Sequence, residues 1–185
     1  MTAETKKAKG NPQFGLTLVQ KIMWALVLLV FSTLVLPLGQ VFNGPGGTAI
    51  FIFFALILGV ITWYISAGWT FKLEMTPGEI KIRDGARESV VPLDKLGMVV
   101  KNGRIPFLPS VWLVLRGVDV GREIPAKGVD PQARELLEQF QKRNPGKKIT
   151  YVAVPGGYLR SIPEFIGELK RRIPPLAVDD RLGGK

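Results

Sequence analysis

The side chains with the most chemical reach in this sequence are cations held in short runs. Lys142, Arg143, Lys147 and Lys148 crowd one turn, and Lys170, Arg171 and Arg172 crowd the end of an expected helix. Either run could meet lipid phosphate or an acidic partner, at about 1 kcal/mol per well-placed charge. A cation in the last turn of a helix also simply complements the helix dipole, so a solvated surface is the plainer account of each run. A third segment, Lys101 to Pro109, lies between two expected strands and sets Lys101 and Arg104 beside Ile105, Phe107 and Leu108. Its prolines would lower the cost of ordering it against a bilayer or a partner. Against that stands the ordinary fate of large apolar side chains, which is burial; on that account the three plug the open end of a β structure.

Catalytic constellations are scarce by composition. With His 0 and Cys 0, the chain lacks the commonest general base, the usual zinc and haem ligand, and any thiolate nucleophile or disulfide. The same lack of histidine argues against direct ligation of pigment magnesium, although a carbonyl or a water can fill that role. Gly156-Gly157 and Gly183-Gly184 are not followed by the Lys-Ser/Thr of a phosphate loop. Asp179-Asp180 reads as a solvated pair in a flexible tail. We therefore expect no catalytic residues, no metal and no cofactor.

The elements that carry these residues follow from charge. From Ile22 to Phe71 there is no Asp, Glu, Lys or Arg. Crossing about 30 Å of hydrocarbon takes roughly 20 apolar residues at about 1.5 Å each. Two runs qualify, Leu16 to Leu38 and Gly47 to Ala67, with a Gly- and Pro-bearing turn from Gly39 to Gly46 between them. Pro37 is expected to end the first run. A cleaved signal peptide fits poorly, because the run is long and a second follows at once. A buried helical hairpin of a water-soluble fold fits poorly too, because the uncharged stretch leaves no polar face.

Lys6, Lys7, Lys9 and Lys21 precede the pair and Lys72, Lys81, Arg83 and Arg87 follow it, whereas the connecting loop is uncharged. The positive-inside rule then puts both termini in the cytoplasm, with the protein in the inner or intracytoplasmic membrane. Trp24, Trp63, Tyr64 and Trp69 fall where interfacial anchors belong. Ser32, Thr33, Thr48, Thr62 and Ser66 would let the helices approach closely. No ionisable group lies at bilayer depth, which argues against an ion path.

Beyond Phe71 come 21 basic and 14 acidic residues. Phe71, Leu73 and Met75 alternate with polar neighbours, Pro77-Gly78 turns, and Ile80 and Ile82 alternate again, which is a hairpin. Further strands are expected at 89–93, 95–101, 111–116 and 122–125, forming a meander. Asp130 and Pro131 open an amphipathic helix over 131–143, a strand follows at 149–154, and Ser161 with Glu164 caps a second helix over 162–173. The expected organisation is a basic polar tail (1–15), a transmembrane hairpin (16–67), a β domain (68–176) and a polar tail (177–185). The fold class is membrane α+β, with an open β-barrel or sandwich of pleckstrin-homology type and C-terminal amphipathic helices. No helix-turn-helix, zinc-finger or aromatic RNA-binding pattern appears, so nucleic acid is not an expected partner.

Gly68-Trp69, Pro77-Gly78-Glu79-Ile80-Lys81-Ile82-Arg83, Leu113-Val114-Leu115-Arg116-Gly117, Glu123-Ile124-Pro125 and the helix Ala133 to Phe140 together carry a resemblance. Over roughly residues 22–140 their order and spacing resemble membrane-anchored bacterial pleckstrin-homology-like proteins. In particular the plan is similar to the two-span photosystem I assembly factors and to the photosynthetic-complex assembly proteins of purple bacteria. The resemblance implies a non-catalytic accessory subunit or assembly factor, with the subunits of a larger membrane complex as partners. The alternative expectation is a membrane-anchored domain that senses anionic lipid headgroups.

Overall fold

The computed structural model describes residues 12–41, 44–103 and 110–183. Two long helices, α1 (Leu18–Val41) and α2 (Pro45–Thr70), lie against one another. α1 starts on a reciprocal cap: the Gln20 N–H donates to Thr17 Oγ1 at 3.2 Å, and Gln20 Oε1 accepts from the Thr17 N–H at 2.9 Å. Pro37 does not end α1 as expected. Its missing N–H breaks one rung of the ladder, and the helix continues to Val41. Pro45 sits in the first turn of α2, where the missing N–H has no helical acceptor to lose.

Of the described helices, Gly47–Thr70 is long and apolar enough to cross a membrane, with mean hydropathy 2.3; the apolar part of α1, Leu18–Leu34, is shorter. The hydroxyls expected to let the helices approach closely are satisfied within their own helix. Ser32 Oγ donates to Leu28 O at 2.7 Å, Thr62 Oγ1 to Leu58 O at 2.8 Å, and Ser66 Oγ to Thr62 O at 2.8 Å.

The remainder is α+β. β1 (Lys72–Met75), β2 (Glu79–Asp84) and β3 (Arg87–Pro92) form an antiparallel sheet with Leu73, Met75, Ile80, Ile82 and Val91 turned inward. A second, mixed sheet contains β4 (Leu96–Asn102), β5 (Ser110–Arg116), β6 (Arg122–Glu123), β7 (Ile149–Pro155) and β8 (Ala177–Val178), in the order β6-β7-β5-β4-β8.

β5 is apolar at every position from Val111 to Leu115 because both faces of this sheet are covered. Val111, Leu113 and Leu115 enter a core shared with the first sheet and with α4 (Ile162–Arg172). Trp112 and Val114 enter a smaller core with α3 (Pro131–Arg143). α3 is capped by Asp130, whose Oδ1 accepts from the Gln132 and Ala133 N–H groups. α4 is capped by Ser161, whose Oγ accepts from the Glu164 N–H.

Two expectations are corrected, the meander and the free polar tails. The meander breaks after β5: β7 follows α3 in the chain yet inserts between β5 and β6, because β7 pairs with β5 along its whole length, which the two-residue β6 cannot. The described strands form two sheets and no closed barrel. The two polar tails are partly built into the domain. Ala177–Val178 pairs in parallel with β4 and Leu182 is buried, while Phe14 is buried with its ring 5.3 Å from that of Phe165.

Candidate functional site

The helix pair joins the domain through a close seam. Gly68 faces Tyr158 and Leu16, and a Cβ there would stand 3.0 Å from the tyrosine ring and 3.2 Å from the leucine methyl. The Phe71 and Tyr158 rings are 5.6 Å apart. The Phe14 N–H donates to Leu73 O at 3.0 Å, and the Arg160 N–H donates to Phe14 O at 2.8 Å. The chain entering α1 is thus stitched between β1 and the turn after β7. Lys21 Nζ donates to Trp69 O at 3.1 Å, setting a cation at the C-terminal end of α2, where carbonyls lack helical donors.

Strand register decides which residues lie near this seam. β1 leaves α2 at Lys72, opposite Arg83, and its other terminus, Met75, pairs with Ile80 at the Pro77–Gly78 turn. β7 reaches the seam at Pro155, opposite Ser110, and begins at Ile149, opposite Arg116. At about 3.3 Å per residue those two ends are roughly 20 Å apart. Both helices of the domain run away from the seam. The Asp130 N–H at the start of α3 donates to Asn102 Oδ1 at 2.8 Å, beside Ser110, whereas Phe140 near its end lies against Gly97. α4 begins next to Arg160, and near its end Arg172 Nη1 donates to Thr76 O.

Both cation runs consequently arrive at the far end of the domain. Lys142 and Arg143 are exposed in the last turn of α3, and Lys147 is exposed in the turn beyond it. Lys148 Nζ lies 2.7 Å from Asp119 Oδ1 and 3.4 Å from Glu123 Oε1. The hydrogen bond to Asp119, with its charge, holds the Lys148 ammonium above its usual range and the Asp119 carboxyl below. Lys170 is exposed, while Arg171 and Arg172 both pair with Glu168. A cleft of about 300 Å³ opens at the same end, lined by Pro77 and Leu93 beside the first sheet, by Leu96 and Arg116 of the second, and by Arg172 and Ile173 at the end of α4.

At the seam-side end of β4, the expected solvated pair Asp179-Asp180 is corrected in its first member. Asp179 is 2% exposed. Its Oδ2 accepts from Arg181 Nη2 at 2.7 Å and from the Lys101 N–H at 3.1 Å, and Arg181 Nη2 also donates to Lys101 O at 2.8 Å. Burial alone would raise the Asp179 carboxyl, but the hydrogen bonds from Arg181 and Lys101 outweigh it and hold the group below its ordinary value. Asp130 is likewise held low: burial opposes, and the Ala133 N–H and Arg181 prevail. Lys101 therefore acts here through its backbone.

Trp24 and Trp63 line an apolar groove of about 510 Å³ between α1 and α2, with Phe31 and Ile61. Trp69 is exposed beside the seam. The Tyr64 side chain, and Arg104, Ile105, Phe107 and Leu108, lie outside the described residues. Sequence reasoning missed Phe14, Tyr158, Asp179 and Arg181. The apolar trio Leu176-Ala177-Val178 ahead of Asp179 was the available signal that the chain had not yet left the domain. Phe14, a lone aromatic among polar residues, was the signal at the other terminus. No protein-family model, curated protein or solved structure matches the chain.

Proposed function

We propose that this protein is a non-catalytic accessory subunit or assembly factor of a larger membrane complex. On this reading α1 and α2 are a two-span hairpin with both termini cytoplasmic, and the two sheets with α4 are a pleckstrin-homology-like domain at that face. One observation carries the proposal. Among the described residues, every exposed large apolar side chain except Val90 belongs to α1 or α2. Such a surface needs lipid or partner helices around it. The satisfied hydroxyls within both helices suit the same surroundings, where an unpaired donor costs several kcal/mol. The seam adds that the domain is held at a fixed place against the helices, as a brace requires. The resemblance to photosynthetic assembly proteins makes a photosynthetic reaction-centre complex the first place to look.

The alternative, a sensor of anionic headgroups, would draw on the cation runs. These lie at the end of the domain away from the helices, which weighs against their serving such a sensor.

Gentle extraction from native membranes, followed by identification of what travels with the chain, tests the proposal. Stoichiometric membrane subunits are expected; a chain that runs alone overturns it. Because the chain has Cys 0, single introduced cysteines report topology without background. Labels at exposed Ala86 and at Gly44 are expected on opposite sides of the membrane.

A further inference from the structure

We propose that the far end of the β domain is a docking face for an acidic protein segment bearing an apolar anchor, which enters the cleft between the two sheets. This rests on the accessory-subunit reading and deepens it by giving the partner's chemistry.

The two cation runs are separated in sequence by β7 and most of α4, yet the parallel course of α3 and α4 brings both to one end. Two helix C-termini point there with them, and the basic side chains more than offset the negative ends of those dipoles. The cleft opens at the same end, with Arg172 of the second run in its lining. Its apolar lining comes from Leu93, Leu96, Ile173 and Leu176, and its charged lining includes Arg116 and Arg172. Arg172 is already positioned, with Nε 2.9 Å from Glu168 Oε1 and Nη1 on Thr76 O. A cationic arginine held in place beside an apolar recess is the arrangement from which interface anchors draw their energy, with surrounding charges setting orientation and encounter rate.

The same face favours a protein over the other polyanions. Asp94, Asp119, Glu123 and Glu168 stand among the cations, and three of them pair with a neighbouring lysine at 2.7 to 3.4 Å. A nucleic-acid backbone or a sheet of lipid phosphates presents one sign throughout and would meet these carboxylates. A peptide can place its own carboxylates singly and offer an apolar side chain to the cleft. The bilayer holding α1 and α2 is at the opposite end.

Pro175→Cys and Asp94→Cys place a unique thiol on the cleft lining at two exposed positions, and Ala86→Cys places one at the seam-side end. Each full-length variant, in lipid nanodiscs and carrying benzophenone maleimide, is irradiated with detergent-solubilised native membranes, and adducts are sequenced by mass spectrometry. Adducts are expected at positions 175 and 94 but not at 86, on a segment of net negative charge with an apolar residue at the attachment point. Arg116→Glu combined with Lys147→Glu, or about 0.5 M salt, should lower the yield on the order of tenfold. RNA or lipid adducts, no protein adduct at either cleft position, or a yield indifferent to charge reversal would each overturn the proposal. Co-purifying subunits without cleft adducts sink this inference alone, whereas the absence of co-purifying subunits sinks the accessory reading.

Discussion

Arg181 Nη1 stands 2.9 Å from Asp130 Oδ1, a residue 51 positions earlier in the chain. Through this contact the segment 179–182, the start of α3 and the end of β4 share one polar cluster. Asp130 thus has two tasks, capping α3 and receiving Arg181. Asp179 neutralises that guanidinium from a buried site and also accepts from the Lys101 N–H.

Arg181→Met leaves Asp179 buried without its main partner and should destabilise the chain by about 3 kcal/mol. Asp130→Asn should cost under about 1 kcal/mol, because asparagine is still a good N-cap and the ion pair lost there is partly exposed. Denaturant unfolding of the full chain in detergent micelles, followed by tryptophan fluorescence, compares the two. Equal losses would mean that the cap, and not the Asp179 pair, dominates the cluster.

The acid limb of stability should carry the mark of Asp179. Its folded pKa lies below the ordinary carboxylate value, so at acid pH the unfolded chain binds more protons than the folded one. The stabilisation is therefore complete above the ordinary carboxylate range, from about pH 5 upward, and is lost as pH falls through the folded pKa. Asp179→Asn should lower the stability plateau near neutral pH and flatten the decline below about pH 4. A decline as steep as the parent's would assign it to other carboxylates.

Gly97 is needed for its missing side chain. A Cβ there would come within 2.4 Å of Phe140 Cζ, inside the core under α3. Gly97→Ala should cost about 1 to 2 kcal/mol by overpacking. Phe140→Leu should lose packing on its own yet relieve the clash in the double variant. A double-mutant cycle should show coupling of at least about 0.5 kcal/mol, and additivity would mean that α3 simply shifts.

The seam should respond to Phe14. Phe14→Ala removes a buried ring and its edge contact with Phe165, at about 3 kcal/mol. The local consequence is more telling than the global one. Amide exchange at Gly15–Thr17 and at Tyr158–Arg160 should rise together, because the Arg160 N–H bonds to Phe14 O. Faster exchange confined to 15–17 would show that the two segments are not tied.

Much of the secondary structure could be read directly from the sequence. Asp130-Pro131 and Ser161-Ile162-Pro163-Glu164 start α3 and α4 where the helices begin, since a cap acts on N–H groups two or three residues away. Alternation drew β1 and β2 for a similar reason: the face of a strand is a two-residue period. The uncharged stretch marked out the helical pair, although not the way α1 runs through Pro37. The site was less legible. Lys142 to Lys148 and Lys170 to Arg172 were visible as cations, but nothing local says toward which end of a domain a helix points.

Sequence alone, then, determined composition and the local elements: an uncharged apolar stretch, capped amphipathic helices, alternating strands and two runs of positive charge. Tertiary structure decided which of these meet. It placed β7 between β5 and β6, returned 177–183 to the edge of β4, buried Phe14 against Phe165, and sent both cation runs to the end opposite the seam. The physical reason is that caps and periodicity act over a few residues, whereas strand order and helix direction depend on how whole apolar faces fit. Many pairings of such faces bury similar area, and only the assembled core, with β5 covered on both sides, selects one.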